Sequence, residues 1–134
     1  MTTYQIDTNA LLRFLTKDIP RQAKATENLL SRAKRQLVDL EICEPVFIET
    51  TVALRNYFKF PKKKVAEMLE SLLSFPNIYI ENRQQIAQAL TIFSQMDLDL
   101  TDCLIYLRAK VKQQQIFTFD RKLSLLASPQ KKAD

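Results

Sequence analysis

The chain has 134 residues, carries 20 Lys and Arg against 15 Asp and Glu for a formal charge of +5 at pH 7, and is 46% hydrophobic. This length and composition are typical of one globular domain. The sequence has no Gly, which excludes the Gly-rich phosphate loops of P-loop NTPases and Rossmann dehydrogenases. It has no His, which excludes Ser-His-Asp and Cys-His catalysis and His-ligated zinc. Its chemistry must therefore rely on carboxylates, hydroxyls, Lys, Arg or Cys.

Several features indicate a cytoplasmic protein. Cys43 and Cys103 lie among apolar residues, which favours reduced core thiols over a redox or metal-binding pair. The first residues lack the basic region of a signal peptide, and no apolar run approaches the ~20 residues that a membrane span needs. We expect one domain over residues 1–128, a polar tail over 129–134, and no association with a membrane.

The first half of the chain alternates strand and helix patterns. Thr3 to Ile6 is a predicted strand, and leucines at helical spacing after Thr8 predict a helix. Asp18 is expected to cap a second helix, with Pro20 in its first turn. Period-two alternation from Leu37 to Ile42 predicts the next strand.

The second half continues this alternation. The predicted elements are helices that begin near Pro45 and Pro61, a strand over Asn77 to Ile80, helices over Arg83 to Met96 and Leu100 to Gln113, a strand over Gln115 to Phe119, and a last helix capped by Asp120. Short strands between helices are typical of a parallel sheet covered on both faces. We predict an α/β fold, namely a three-layer α/β/α sandwich whose mostly parallel sheet has four to five short strands.

Two acidic residues follow predicted strands. Asp7 ends the first strand, and Asp120 ends the last one. Ligands of parallel α/β sheets bind at the carboxyl ends of the strands, so both carboxylates are expected at one edge of the sheet. The alternative for each is a helix N-cap, a role that Asp performs often.

Glu49 is predicted to lie beside the apolar side of a helix. Val46 and Val52, three residues before and after it, are expected to face the core. An unpaired buried carboxylate costs several kcal/mol or becomes neutral, so we expect a cation near Glu49. A structural alternative is a basic partner such as Arg55.

Asp102 also has apolar helical neighbours, Leu98 and Ile105. Asp99 lies one turn before it, and two carboxylates at this spacing repel each other, although less so at a helix N-terminus. The alternative is a capping arrangement with Asp99 as the N-cap.

A shared metal ion explains these four acids together. A cluster of carboxylates without His or paired Cys is an all-oxygen site, which suits Mg²⁺ or Mn²⁺. An acidic pocket in an otherwise basic chain is typical of an enzyme that acts on a phosphodiester backbone. The candidate phosphate contacts are Arg13, Arg55, Lys59, the Lys62-Lys63-Lys64 run, Arg108 and Arg121, although a lysine run also occurs as solvated surface.

Four segments of the sequence resemble the PIN-domain ribonucleases, especially the VapC-type toxins of bacterial toxin–antitoxin pairs. In chain order they are Ile6 to Asn9, Phe47 to Leu54, Leu100 to Ile105 and Phe117 to Leu123. The resemblance spans nearly the whole chain. It implies a PIN-like fold, cleavage of RNA with Mg²⁺ or Mn²⁺, a homodimer, and a cognate antitoxin that blocks the site.

The resemblance also assigns residues. Asp7, Glu49, Asp102 and Asp120 match the acidic quartet of the family, with Asp7 and Asp102 as the leading metal ligands and Asp120 as a further one. The supporting positions that match are Thr8, Asn9 and Thr118, with Asp99 matching an acid found in some members only. Many relatives have Gly before the last strand, where this chain has Gln113 to Gln115.

Two other functions fit parts of the pattern. A Mg²⁺-dependent phosphatase of the haloacid dehalogenase type also begins with a strand-end Asp, but its Asp-x-Asp motif would place Asp where this chain has Asn9. A nucleic-acid-binding or interaction module could have the fold without turnover. Metal-dependent cleavage of RNA separates this module from a nuclease.

Overall fold

The structure is a computed structural model that describes residues 1–75 and 77–127. Over these residues it contains three strands and seven helices. In chain order the elements are β1 (Thr3–Gln5), α1 (Thr8–Thr16), α2 (Pro20–Lys34), β2 (Asp39–Ile42), α3 (Glu44–Asn56), α4 (Lys62–Leu73), β3 (Ile78–Ile80), α5 (Arg83–Gln95), α6 (Leu100–Lys112) and α7 (Arg121–Ala127). The predicted tail, 129–134, lies outside the described residues.

The start of α2 differs from the prediction. The helix begins at Pro20 with Ile19 as its N-cap residue, and Asp18 does not cap it. The Asp18 carboxylate instead accepts hydrogen bonds from the Arg13 guanidinium at 2.9 Å and from the Thr16 hydroxyl at 2.9 Å. Proline at the first helical position needs no partner for a backbone N–H, so α2 forms without a side-chain cap.

The three strands form a parallel sheet in the order β1-β2-β3. Leu40 of β2 is paired with Ile78 of β3, and both are buried against the helices. The other face carries Gln5, Glu41 and Tyr79, and Tyr79 is 63% exposed. Helical cover on both faces is therefore not confirmed at these positions. Polar side chains gain little from being covered, which is consistent with an open second face.

The fourth strand that the sequence predicted, Gln115 to Phe119, is not confirmed, because these residues lie outside any strand. They keep the alternation of a strand: Ile116 and Thr118 are half-buried, while Phe117 and Phe119 are exposed. An alternating apolar pattern predicts extended backbone, but a strand also requires a neighbour in register. The described sheet therefore has three strands and not four to five.

One hydrophobic core draws on all seven helices and on β2 and β3. Its largest fully buried side chains include Leu11, Leu40, Phe47, Leu69 and Leu90. Cys103 is buried in this core and Cys43 is half-buried, and both are free thiols as expected. Within the described ranges, no helix has the length and apolar character to cross a membrane.

Candidate active site

Asp7 connects β1 to α1 and caps the helix. Its Oδ1 atom accepts a hydrogen bond from the Ala10 backbone N–H at 2.8 Å, which satisfies one of the unpaired donors at the start of α1. The residue is exposed. The capping alternative for Asp7 is therefore correct, and a solvent-exposed carboxylate that caps with one oxygen is still able to bind a cation.

Glu49 is exposed on α3, so the prediction that it faces the core is wrong. The buried face of α3 includes Thr50 and Thr51, whereas Val52 is 49% exposed. Both threonine hydroxyls donate to backbone carbonyls of the same helix, which allows these polar residues to be buried. The Glu49 carboxylate accepts a hydrogen bond from the Thr8 hydroxyl at 2.7 Å, which links it to the residue after Asp7.

Asp99 is the N-cap of α6, as the capping alternative predicted. Its Oδ1 atom accepts a hydrogen bond from the Asp102 backbone N–H at 2.8 Å. The side chain of Asp102 is half-buried in the first turn. Burial raises the pKa of the Asp102 carboxyl above its ordinary value, and the charges of Asp99 and Asp120 raise it further.

Asp120 precedes α7 and caps it in the same way. Its Oδ1 atom accepts from the Leu123 backbone N–H at 2.9 Å, and its own N–H donates to the Thr118 hydroxyl at 3.0 Å. Helices α6 and α7 pack against each other, and the charge of Asp120 acts on the Asp102 carboxyl. The Thr118 hydroxyl therefore fixes the backbone at Asp120.

The structure thus brings the predicted acids together in two groups. Glu49 joins α3 to Thr8 beside Asp7, and Asp99, Asp102 and Asp120 interact through their charges. In the part of the chain that the structure describes, no three His, Cys, Asp or Glu side chains stand close enough to hold a metal ion. A single cage of four carboxylates is therefore not formed by these residues. Asn9 is exposed on α1 next to Thr8.

The chemistry of the donors fits a hard divalent cation. Over residues 1–75 and 77–127, the acids found in ion pairs are Asp18, Glu27, Glu44 and Asp97, and none of the predicted site acids is among them. The charges of Lys62 and Lys122 nevertheless act on Asp99 and Asp120. A divalent cation would offset the repulsion that Asp99 and Asp120 exert on Asp102.

The three arginines predicted to contact RNA have different surroundings. Arg13 is committed to Asp18 in an ion pair of 2.9 Å. Arg55 donates to the Phe60 carbonyl at 3.0 Å. Arg121 is exposed at the start of α7, directly after Asp120, and is the best placed of the three to meet a ligand at the site.

Sequence reasoning missed a buried acid, Glu44, at the start of α3. Its carboxylate accepts from the Asn82 amide at 2.9 Å and is paired with Arg108, and its backbone N–H donates to a Glu81 carboxylate oxygen at 3.0 Å. Arg108 is therefore a structural partner of Glu44. The available signal was a glutamate two residues after a predicted strand, whereas Asp7 follows its strand directly.

Lys62 also has a structural role, which its position in a run of three lysines did not indicate. Its ammonium donates to the carbonyls of Met96, at 2.7 Å, and Leu98, and it lies 4.2 Å from the centre of the Phe93 ring. Burial lowers the pKa of this ammonium below its ordinary value. Lys62 thus holds the segment that leads to Asp99, the cap of α6.

Comparison with known proteins gives two findings. The sequence model of the PIN domain family matches residues 4–128. A VapC ribonuclease of Aquifex aeolicus (strain VF5) is 24% identical over 122 residues, which are 90% of this chain and 90% of that protein. The comparison with solved structures gives no match.

Proposed function

This chain belongs to the PIN domain family, and on that premise we propose that it is a divalent-metal-dependent endoribonuclease, the toxin of a toxin–antitoxin pair. The related protein of Aquifex aeolicus, which is matched over 90% of its length, is named a ribonuclease. The order of the four acidic segments along the chain, which resembles that of the PIN-domain ribonucleases, supports the same activity.

The observation that carries the proposal is the environment of Asp102. This half-buried carboxylate lies near Asp99 and Asp120, and their charges oppose its ionisation. A divalent cation would favour the ionised form of Asp102. We assign Asp7, Asp102 and Asp120 as the residues that would hold Mg²⁺ or Mn²⁺, with Glu49 as a further acid of the site.

Bound there, the cation supplies Lewis-acid chemistry: it lowers the pKa of water and offsets the charge of the scissile phosphate. The chain supplies the positions of the acids. The Thr8 hydroxyl donates a hydrogen bond that orients Glu49, and the Thr118 hydroxyl accepts a hydrogen bond from the backbone N–H of Asp120. Asp99 fixes the first turn of α6 and with it the backbone of Asp102. A cation bound there would favour the ionised form of Asp102 and so oppose the effect of burial on its pKa.

The proposed substrate is RNA. The net charge of +5 attracts a polyanion, and Arg121 offers an exposed cation next to Asp120. Arg55 and Arg13 are further proposed contacts, although Arg13 would have to exchange its Asp18 partner for a phosphate. The proposed protein partners are a cognate antitoxin and a second copy of the chain.

Incubation of the full chain with end-labelled single-stranded RNA tests the proposal. We expect cleavage fragments on a denaturing gel with Mg²⁺ or Mn²⁺ and intact RNA with EDTA. Fragments that persist in EDTA, through successive purification steps, would contradict metal dependence.

A nucleic-acid-binding module without turnover is the second candidate. It is favoured by the separation of the acids into two groups, since three ligating side chains do not meet in the described residues. This candidate predicts that RNA is bound but stays intact with either metal ion. The same gel, together with a binding measurement, distinguishes the two functions.

A further inference from the structure

Phe117 and Phe119 are the most exposed large hydrophobic side chains among the described residues, at 88% and 94%. Their ring centroids lie 5.4 Å apart, and the ring planes meet at 81°. Scattered single apolar residues are normal on a surface, but two adjacent phenyl groups without cover are typical of a binding site.

The two rings are held in place from the other side of the segment. Ile116 and Thr118 alternate with them and are half-buried. The Thr118 hydroxyl accepts the Asp120 backbone N–H at 3.0 Å, which bridges Phe119 and fixes the turn into α7. The rings therefore project to one side of an anchored segment, and a ligand does not need to order them.

We propose that Phe117 and Phe119 form a base-stacking platform for single-stranded RNA. The proposal rests on the proposed function for the identity of the ligand, and it adds the part of the substrate that this surface contacts: unpaired bases. Bases that are splayed out of a helix stack on aromatic side chains with little dependence on sequence. Phe119 directly precedes Asp120, so a base stacked there would place its phosphate near the proposed metal site.

The charges around the rings favour RNA over a protein partner. Residues 108–122 contain five Lys and Arg and one acid, Asp120. Of these cations, Arg108 and Lys122 are in ion pairs with acids, while Lys110, Lys112 and Arg121 are exposed. Phenyl groups that exposed cations flank along the chain, with Lys110 and Lys112 before them and Arg121 after them, match the bases and phosphates of a single strand. A purely apolar protein contact would not need this surrounding charge.

Leucine and tryptophan substitutions separate stacking from apolar contact. Leucine keeps an apolar side chain of similar size but removes the aromatic face, whereas tryptophan enlarges that face. In EDTA, where metal-dependent cleavage is blocked, the dissociation constant of a short unstructured RNA is measured by fluorescence anisotropy. We expect F117L and F119L each to weaken binding about tenfold, and F117W and F119W to bind at least as tightly as the wild type.

Two controls test whether the effect on RNA binding is specific to these two rings and to stacking. Tyr57 is an aromatic residue that is 78% exposed at the end of α3, and Y57L is expected to leave RNA binding unchanged. An RNA of the same length with abasic positions retains its phosphates but cannot stack. We expect it to bind weakly and to lose the difference between wild type and F119L.

Three results would overturn the platform. They are wild-type RNA affinity in both leucine variants, equal affinity for intact and abasic RNA, and leucine variants whose oligomeric state changes in sedimentation while RNA affinity does not. The last result would identify the phenyl groups as an interface between copies of this chain. RNA binding is measured in EDTA, so this test does not depend on cleavage. If the rings bind RNA bases but the chain never cleaves RNA, the proposed nuclease is refuted and the proposed base-stacking platform is not.

Discussion

The hydroxyl of Thr8 donates a hydrogen bond to the carboxylate of Glu49 at 2.7 Å, across 41 residues of chain. This contact joins the first turn of α1 to the middle of α3. It explains why an exposed glutamate on α3 belongs with Asp7, which immediately precedes Thr8. The link between the strand-end acid and the helix acid is therefore a hydrogen bond at the surface and not burial in the core.

Replacing Thr8 with valine removes this hydroxyl and keeps the shape of the side chain. We expect T8V to reduce RNA cleavage about tenfold and to destabilise the fold by roughly 0.5–1.5 kcal/mol, as measured by urea denaturation. The matched control is T91V, because the Thr91 hydroxyl donates to the Ala87 carbonyl at 3.3 Å from an exposed position of α5. Equal cleavage by T8V and wild type would show that Glu49 does not need Thr8.

Asp102 gives the metal-free protein a pH dependence with a defined sign. Its pKa is raised by burial and by Asp99 and Asp120, so the folded state binds its proton more tightly than the unfolded state. The protonated Asp102 carboxyl therefore stabilises the folded state fully at pH values below 3.8, the ordinary pKa of an aspartate. This stabilisation is lost as the pH rises through the raised pKa of the folded state.

The variant D102N avoids this loss. In EDTA at pH 7 we expect D102N to be more stable than the wild type by roughly 0.5 kcal/mol, a small value because the group is partly solvated. The difference should shrink as the pH approaches 3.8, which urea titrations at several pH values will show. A variant that is less stable than the wild type at pH 7 would contradict the raised pKa.

Lys62 is expected to stabilise the approach to α6. K62M leaves the Met96 and Leu98 carbonyls without their ammonium donor, so we expect a loss of about 1–3 kcal/mol in the free energy of unfolding. Lys63, its neighbour in the same run, is exposed, and K63M should change stability by less than about 0.5 kcal/mol. Similar losses in both variants would mean that the carbonyl contacts of Lys62 contribute nothing specific.

The Glu44 and Arg108 pair is expected to be strongly coupled. R108M leaves the buried Glu44 carboxylate without its cation, and we expect a loss of about 2 kcal/mol, with roughly 1 kcal/mol recovered in the double variant E44Q/R108M. The comparison pair is Lys24 and Glu27, which are exposed and 3.4 Å apart. A double-mutant cycle there should give a coupling below about 0.5 kcal/mol. Equal coupling in the two cycles would contradict the role of burial.

The sequence was most informative where a single local rule operates. Alternation and helical spacing located every described helix and strand within a few residues. Asp7 and Asp120 both cap helices, as the local alternative for each predicted, although no strand directly precedes Asp120. Capping chemistry for Asp99 follows from spacing alone, and the structure confirms it. These features depend on neighbours along the chain.

Features that depend on contacts between residues far apart in the sequence could not be predicted. The orientation of α3 could not be deduced from Val46 and Val52, because Thr50 and Thr51 satisfy their hydroxyls within the helix and take buried positions. The Glu44 and Arg108 pair joins residues 64 apart, and nothing local to either one indicates the other. The apolar segment around Phe117 has the pattern of a strand but no place in the described sheet.

Binding of Mn²⁺ by electron paramagnetic resonance tests most directly whether the separate acids share one ion. We expect D7N and D102N each to weaken Mn²⁺ binding about tenfold or more. We expect D39N, which alters an exposed acid at the amino end of β2, to bind Mn²⁺ as the wild type does. If D7N and D102N both retain wild-type affinity, Asp7 and Asp102 do not hold a common ion and the proposed site is wrong.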